Sequence, residues 1–155
     1  MNNIKTFENF NNQDIFTYID NNDIKSVKNY INSGYDLDKQ NISGHTALIL
    51  ATYYNNIEIV KLLLNVGADI DKQNNKGNTV LIFAAFKNNK KIIELLLDYY
   101  ADEFILNDDN KSFYDYLNDE NKQYFTRKYP TSVYNAISHW YKKSFTEFVK
   151  DYNVK

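Results

Sequence analysis

The stretch "GHTALILATYYNNIEIVKLLLNVGADIDKQNN" runs from residue 44 to 75, and "GNTVLIFAAFKNNKKIIELLLDYYADEFILND" follows it from 77 to 108. The second is a copy of the first displaced by 33 residues. Self-similarity at such a period marks a repeat architecture. With Gly44 on Gly77, Thr46 falls on Thr79, Leu48 on Leu81 and Ala51 on Ala84. Asn55-Asn56 falls on Asn88-Asn89, Ile59 on Ile92, Leu62-Leu63-Leu64 on Leu95-Leu96-Leu97, and Ala68-Asp69 on Ala101-Asp102. One period earlier, "GYDLDKQN" (34–41) echoes "GADIDKQN" (67–74), and one period later "NKSFYDYL" (110–117) is a worn copy. Four units result, at about 8–40, 41–73, 74–106 and 107–125.

Each unit has the same physical content. Gly44-His45-Thr46 turns into a helix with Thr46 as its N-cap, spanning about 47–54. A second helix over about 57–65 carries apolar residues around most of its circumference, so both of its sides should be buried, with Leu62 and Leu95 counted among the core. Gly67 supplies the left-handed position that stops it. The polar, turn-rich "ADIDKQNNKGNT" should project as a hairpin-like finger. Neither helix can bury its apolar face alone, whereas stacked units can.

The two central units resemble the ankyrin repeat: "GHTALILA…IEIVKLLLNVGAD" (44–69) and "GNTVLIFA…KKIIELLLDYYAD" (77–102) follow that family's opening, its I-V-x-L-L-L run and its G-A-D close. The resemblance covers roughly residues 11–125. It departs from the family where proline follows the threonine, which here is Ala47 and Val80, and where a histidine is usual, which here is Ile49 and Ile82. Tyr100 replaces the stop glycine, so that helix end is expected to be strained or lengthened. The resemblance implies an all-α ankyrin-repeat solenoid that acts as a non-enzymatic protein-binding module, presenting a concave face to a protein partner. Carried over by position, that face draws on Ile42, Ser43, His45, Tyr53 and Tyr54 in the second unit. The third supplies Asn75, Lys76, Asn78, Phe86 and Lys87. The fourth supplies Asp108, Asp109, Lys111, Asp119 and Glu120, and the first adds Asp20 and Asn21. Tyr53, Tyr54 and Phe86 lie off the Leu48/Ala51 and Leu81/Ala84 seam, and large exposed aromatics are the stuff of interface hot spots. The alternative for Tyr53 and Phe86, at equivalent positions, is that they stack between repeats.

The ends differ from the middle. The first unit's second helix, "IKSVKNYINSG" (24–34), mixes Lys25, Lys28 and Asn29 with apolar residues, as a solvent-facing cap must. Ile4, Phe7 and Phe10 suggest a short lid within residues 1–10. Beyond Pro130, "TSVYNAISHWYKKSFTEFVKDY" (131–152) is strongly amphipathic. It is expected to cap the last repeat as part of a C-terminal helical segment, 126–155. The alternative is that this helix dimerises or docks a partner, making the protein a structural, self-associating one. Residues 98–121 hold eight acids against Lys111, and 122–155 hold seven bases against Glu147 and Asp151. Such opposed charges favour docking, although exposed pairs contribute only about 0–1 kcal/mol each.

The rest narrows the classes. The formal charge of -2 in 155 residues argues against bulk electrostatic binding of nucleic acid. The absence of cysteine removes disulfides, thiolate metal sites and cysteine nucleophiles together. His45 and His139 are far apart in sequence. Asp36/Asp38 and Asp69/Asp71 recur with the period, which reads as structure rather than a calcium loop. No cofactor is expected. Neither a signal peptide nor a spanning segment is evident, so a cytoplasmic monomer without membrane contact is expected, with a homodimer and delivery into a host cell left open.

Overall fold

The computed structural model describes residues 14–129. The described chain is helical and contains no strand. Its helices are α1 (Ile15–Asp20), α2 (Ile24–Asn32), α3 (Ala47–Tyr53), α4 (Ile57–Asn65), α5 (Val80–Phe86), α6 (Lys90–Asp98) and α7 (Asp119–Lys128), with a 3-10 turn at Phe113–Tyr116. The expected lid in 1–10 and the expected helix over 131–152 lie outside the described residues. None of the described helices is long and apolar enough to cross a membrane.

Local chemistry sets the helix ends. The Thr46 and Thr79 hydroxyls accept from the Ile49 and Ile82 N–H groups at 3.2 and 3.3 Å. Asn56 and Asn89 cap α4 and α6 in the same way, through Ile59 and Ile92, and Asn118 caps α7 through Asn121 at 2.8 Å. The Asn-Asn pair between the helices of a unit divides the labour. Its first member, Asn55 or Asn88, takes a left-handed φ of 59° or 55°. Its second caps the next helix. Asparagine tolerates that backbone region better than other residues with a side chain.

The helices form two rows. α1 packs on α3, α3 on α5, and α5 on the 3-10 turn, making the inner row. α2 lies against α4 in the outer row, and α3–α4 and α5–α6 close each unit. Leu48, Ala51, Leu81 and Ala84 are all sealed in the seam between units, where the alanines let neighbouring helices approach. In the outer helices Ile59, Val60, Leu63 and Leu64 are buried, as are Ile92, Ile93 and Leu96. Leu62 and Leu95, expected in the core, are only half-buried. A triplet of leucines spans 200° of a helix at 100° per residue, so its middle member faces the stack and its first turns toward the rim. The first unit seals only Val27 on α2, while Lys25, Lys28 and Asn29 are exposed, which suits an end of the array.

Tyr100 answers the question its sequence position raises. It adopts φ 62°, the left-handed conformation that Gly34 and Gly67 adopt elsewhere. Its N–H reaches the Leu97 carbonyl and that of Ala101 reaches Leu96, both at 3.0 Å. The same pair of bonds closes α4 at Gly67 and Ala68. The helix is therefore not lengthened, and the departure is absorbed as backbone strain. α7 runs through residue 125, where the sequence reading ends the array, and stops at Lys128. Its Lys128 ammonium sits 2.8 Å from the Glu94 carboxylate and its Tyr129 hydroxyl donates to Asp98 at 3.2 Å. These contacts tie the start of the basic segment to the acids of α6.

Candidate functional site

Each finger is a closed turn built on one asparagine. The Asn74 N–H donates to the Asn78 carbonyl at 3.0 Å and Gly77 donates back to Asn74 at 2.9 Å. The Asn74 side-chain oxygen accepts from the N–H groups of Lys76 and Asn78. Asn41 and Asn107 do the same in their fingers. The fingers are also joined edge to edge. Asn75 N–H donates to Ser43 and Asp108 N–H to Lys76, at 3.3 and 3.2 Å. The Gln40 and Gln73 amides reach the Gln73 and Leu106 carbonyls of the following finger, at 2.9 and 3.1 Å. The recurring aspartates belong to this frame: Asp38 and Asp71 accept from the N–H of Asp69 and Asp102, both at 2.8 Å.

Between the fingers and the inner helices lies a trough of about 840 Å³. Phe83 and Phe86 from α5, Tyr116 from the 3-10 turn and His45 from the start of α3 provide its aromatic surface. His45 packs edge-to-face on Phe83 with ring centroids 5.2 Å apart, and Phe86 meets Tyr116 in the same way at 6.2 Å. Asn107 positions Tyr116 by donating to its hydroxyl at 2.9 Å while also reaching Asn78 at 2.7 Å. His45 is half-buried, and this burial pushes its pKa below the ordinary 6.5. Its imidazole is therefore neutral at neutral pH.

Of the sequence-derived surface residues, Ile42, Ser43, His45, Asn75, Lys76, Asn78, Phe86, Asp108 and Asp109 all line this trough. Tyr53, Tyr54 and Lys87 do not. They make a cluster of their own beside it, with Tyr53 and Tyr54 edge-to-face at 5.3 Å and the Lys87 ammonium 3.8 Å from the Tyr53 ring centre. Asp20 joins them, and its hydrogen bond raises the pKa of the Tyr54 hydroxyl. Tyr53 and Phe86 do not stack on one another: each pairs with a different ring. Tyr54 is 51% exposed and Leu48 1%, the contrast expected of a surface residue and a seam residue. Lys111 lies 5.6 Å from the Tyr116 ring centre. Asp119 and Glu120 occupy the exposed first turn of α7, and Asn21 ends α1. The residues missed are Asn74, Ile82, Phe83, Asn107 and Tyr116. Phe83 and Tyr116 had a signal, since they stand 33 residues apart and both are aromatic, but the wear of the fourth unit hid it.

Among the described residues no three His, Asp or Glu side chains are grouped so as to hold a metal ion. What the surface offers is shape, aromatic area and charge on a hydrogen-bonded frame. No curated protein matches the sequence. The family model for ankyrin repeats (3 copies) matches residues 15–108. With the stacked helix pairs and joined fingers described above, this match over more than half of the chain places the protein in the ankyrin-repeat family, whose repeats are general protein–protein interaction modules and typically non-enzymatic.

Proposed function

We propose that the protein works by binding a segment of another protein in the trough between its fingers and its inner helices, as a monomer acting in the cytoplasm. The observation that carries this reading is the exposure of large apolar side chains on a rigid frame. Phe86 is 64% exposed and Ile42 97%, although both lie on backbone held by caps and finger-to-finger hydrogen bonds. Rigidity lowers the ordering cost of association, and an exposed aromatic in a concavity is a natural anchor. Tyr53 and Tyr54 extend the surface beyond the trough. Phe86→Ala should leave stability within about 0.5 kcal/mol, as exposed substitutions do, and weaken binding by about 2 kcal/mol or more if Phe86 is the anchor. The decisive measurement is photo-crosslinking in native extract from a reactive amino acid placed at position 86, compared with one at Val66, which is also exposed but lies at the end of α4. Proteins captured from 86 and not from 66, and lost on Ile42→Ala, support the trough. Identical capture from both positions refutes it.

A further inference from the structure

The three fingers share a backbone and differ at their tips. One pair of register positions carries Ile42 and Ser43 on the first finger, Asn75 and Lys76 on the second, and Asp108 and Asp109 on the third. The turn of the third finger is closed by Asn107, not by its aspartates. Both aspartates are exposed, and among the described residues neither enters an ion pair. Two unpaired carboxylates therefore stand on the wall of a trough whose neighbouring surface is Phe86 and Tyr116.

Cations already lie on rings of this surface. The Lys87 ammonium is 3.8 Å from the Tyr53 ring centre and that of Lys111 is 5.6 Å from Tyr116. Among the described residues no lysine or arginine covers Phe86, the most exposed of these rings. Lys111 repels a cation from Tyr116, and Lys76 on the neighbouring finger also lines the trough. The lining surfaces that attract a cation are therefore the Phe86 ring and the Asp108 and Asp109 carboxylates. At the far end of the trough, His45 is kept neutral by burial and adds no opposing charge at neutral pH. The group that best uses an aromatic face and carboxylates together is planar and cationic. A guanidinium stacks on a ring and still donates from its edge, whereas an ammonium is compact and strongly hydrated.

We propose that the third-finger end of the trough takes an arginine side chain from an extended segment of the partner protein, its guanidinium lying on the Phe86 ring and its N–H groups donating to Asp108 and Asp109. This rests on the trough as the partner-binding surface and adds the chemistry of the residue bound there. The first finger, with Ile42 at its tip, is left for an apolar residue of the same segment.

Single-residue probes test this without a known partner. The isotope-labelled full chain is titrated by NMR with Nα-acetyl-arginine amide, Nα-acetyl-lysine amide and Nα-acetyl-norleucine amide. Arginine should shift the Phe86, Asp108 and Asp109 amides saturably, binding about two- to fivefold more tightly than norleucine, with lysine between them. The preference should vanish in Asp108→Asn/Asp109→Asn, whose exposed changes leave thermal melting unaltered, and at 1 M salt, where the screening length is about 3 Å. Equal shifts from norleucine, or a preference for arginine that survives the double substitution, would overturn the proposal. If arginine fails while crosslinking from position 86 still captures a protein, the trough keeps its role and the guanidinium is wrong. If crosslinking from 86 and 66 is identical, the trough reading falls and this inference falls with it.

Discussion

The second and third units keep their full pattern, and the fourth has lost most of it, yet all three occupy the same lattice. At the finger position filled by Gly44 and Gly77 the fourth unit has Asn110, and all three adopt left-handed φ values, of 74°, 71° and 59°. Conformation alone therefore does not demand glycine there. Packing does: a Cβ on Gly44 would lie 2.5 Å from the Asn75 nitrogen, and one on Gly77 would lie 2.8 Å from the Asp108 nitrogen. Each glycine is the place where the next finger presses in. Asn110 is exposed. The inner helix is likewise dispensable as a helix. The fourth unit replaces it with the 3-10 turn, closed by Ser112 and Asp115, and still buries Phe113 and Leu117 where the central units bury Val80 and Ala84. What a unit must keep is its buried side chains and its polar links to the unit before it, such as the Asn121 side chain donating to Asn88.

The contrast can be broken most forcefully in the core. Leu63 is sealed inside α4 and Phe125 inside α7. Leu63→Ala should cost about 2–5 kcal/mol and Phe125→Ala about 3–5 kcal/mol locally. Neighbour-only coupling in a solenoid makes the consequences different. Urea unfolding should report the loss at Leu63 across the whole array. Phe125→Ala should instead raise amide exchange in 107–128 while α3 stays protected. One global transition shifted equally by both variants would show that the fourth unit is no separate end.

A swap at the two finger positions separates crowding from dihedral preference. Gly77→Asn keeps a residue that tolerates the backbone, so any loss measures the crowding against Asp108. Overpacking of this kind costs about 1–3 kcal/mol, and exchange at the Asp108 amide should rise with it. Asn110→Gly should change urea stability by less than about 1 kcal/mol, since asparagine already tolerates the left-handed backbone and glycine adds its own entropic cost. Equal effects from the two would mean that dihedral preference, not finger contact, selected the glycines.

Tyr100 tests the same logic in the opposite direction. Its side chain is 91% exposed, so its removal opens no cavity, while its left-handed backbone costs about 1–2 kcal/mol. Glycine carries its own entropic penalty in the unfolded chain. Tyr100→Gly should therefore raise stability by a net amount of about 0.5–1 kcal/mol, read from the urea midpoint. A loss would mean that the ring makes contacts worth more than the strain.

The smallest expected effect is that of pH on His45. Burial lowers its pKa in the folded chain, so between the folded value and 6.5 the unfolded chain binds the proton more readily. The stability due to its neutral form is complete above pH 6.5 and declines as pH falls through that value. His45→Asn should flatten this part of the profile, and an unchanged slope would assign it to other groups.

Much of this organisation was legible in the residues. The period, the caps Thr46 and Thr79, the second helix over Ile57–Asn65 and the stop at Gly67 all follow from local chemistry: one side chain, one turn of backbone, one orphan donor. Most of the trough's lining was legible as well, because equivalent positions in a repeat share a face. The errors occurred where a residue's surroundings come from another unit. Leu62 and Leu95 look like their neighbours in the leucine run but are only half-buried. Tyr53 and Phe86 hold one register position, yet only Phe86 lines the trough, because Tyr54 and Lys87 hold Tyr53 beside it. Tyr116 is not legible as the counterpart of Phe83, because the 3-10 turn that carries it resembles no helix.

The sequence by itself determined the kind of unit and where its helices begin and end, since these depend on contacts within a few residues along the chain. The tertiary structure decided what lies one period away: that Gly77 must make room for Asp108, that Phe86 finds Tyr116 and not Tyr53, that His45 settles against Phe83 and has its pKa lowered by burial, and that Asp108 and Asp109 stand unpaired on the wall of an aromatic trough. Such contacts form between residues about 30 positions apart, and only the stacking of one unit on the next brings them within reach.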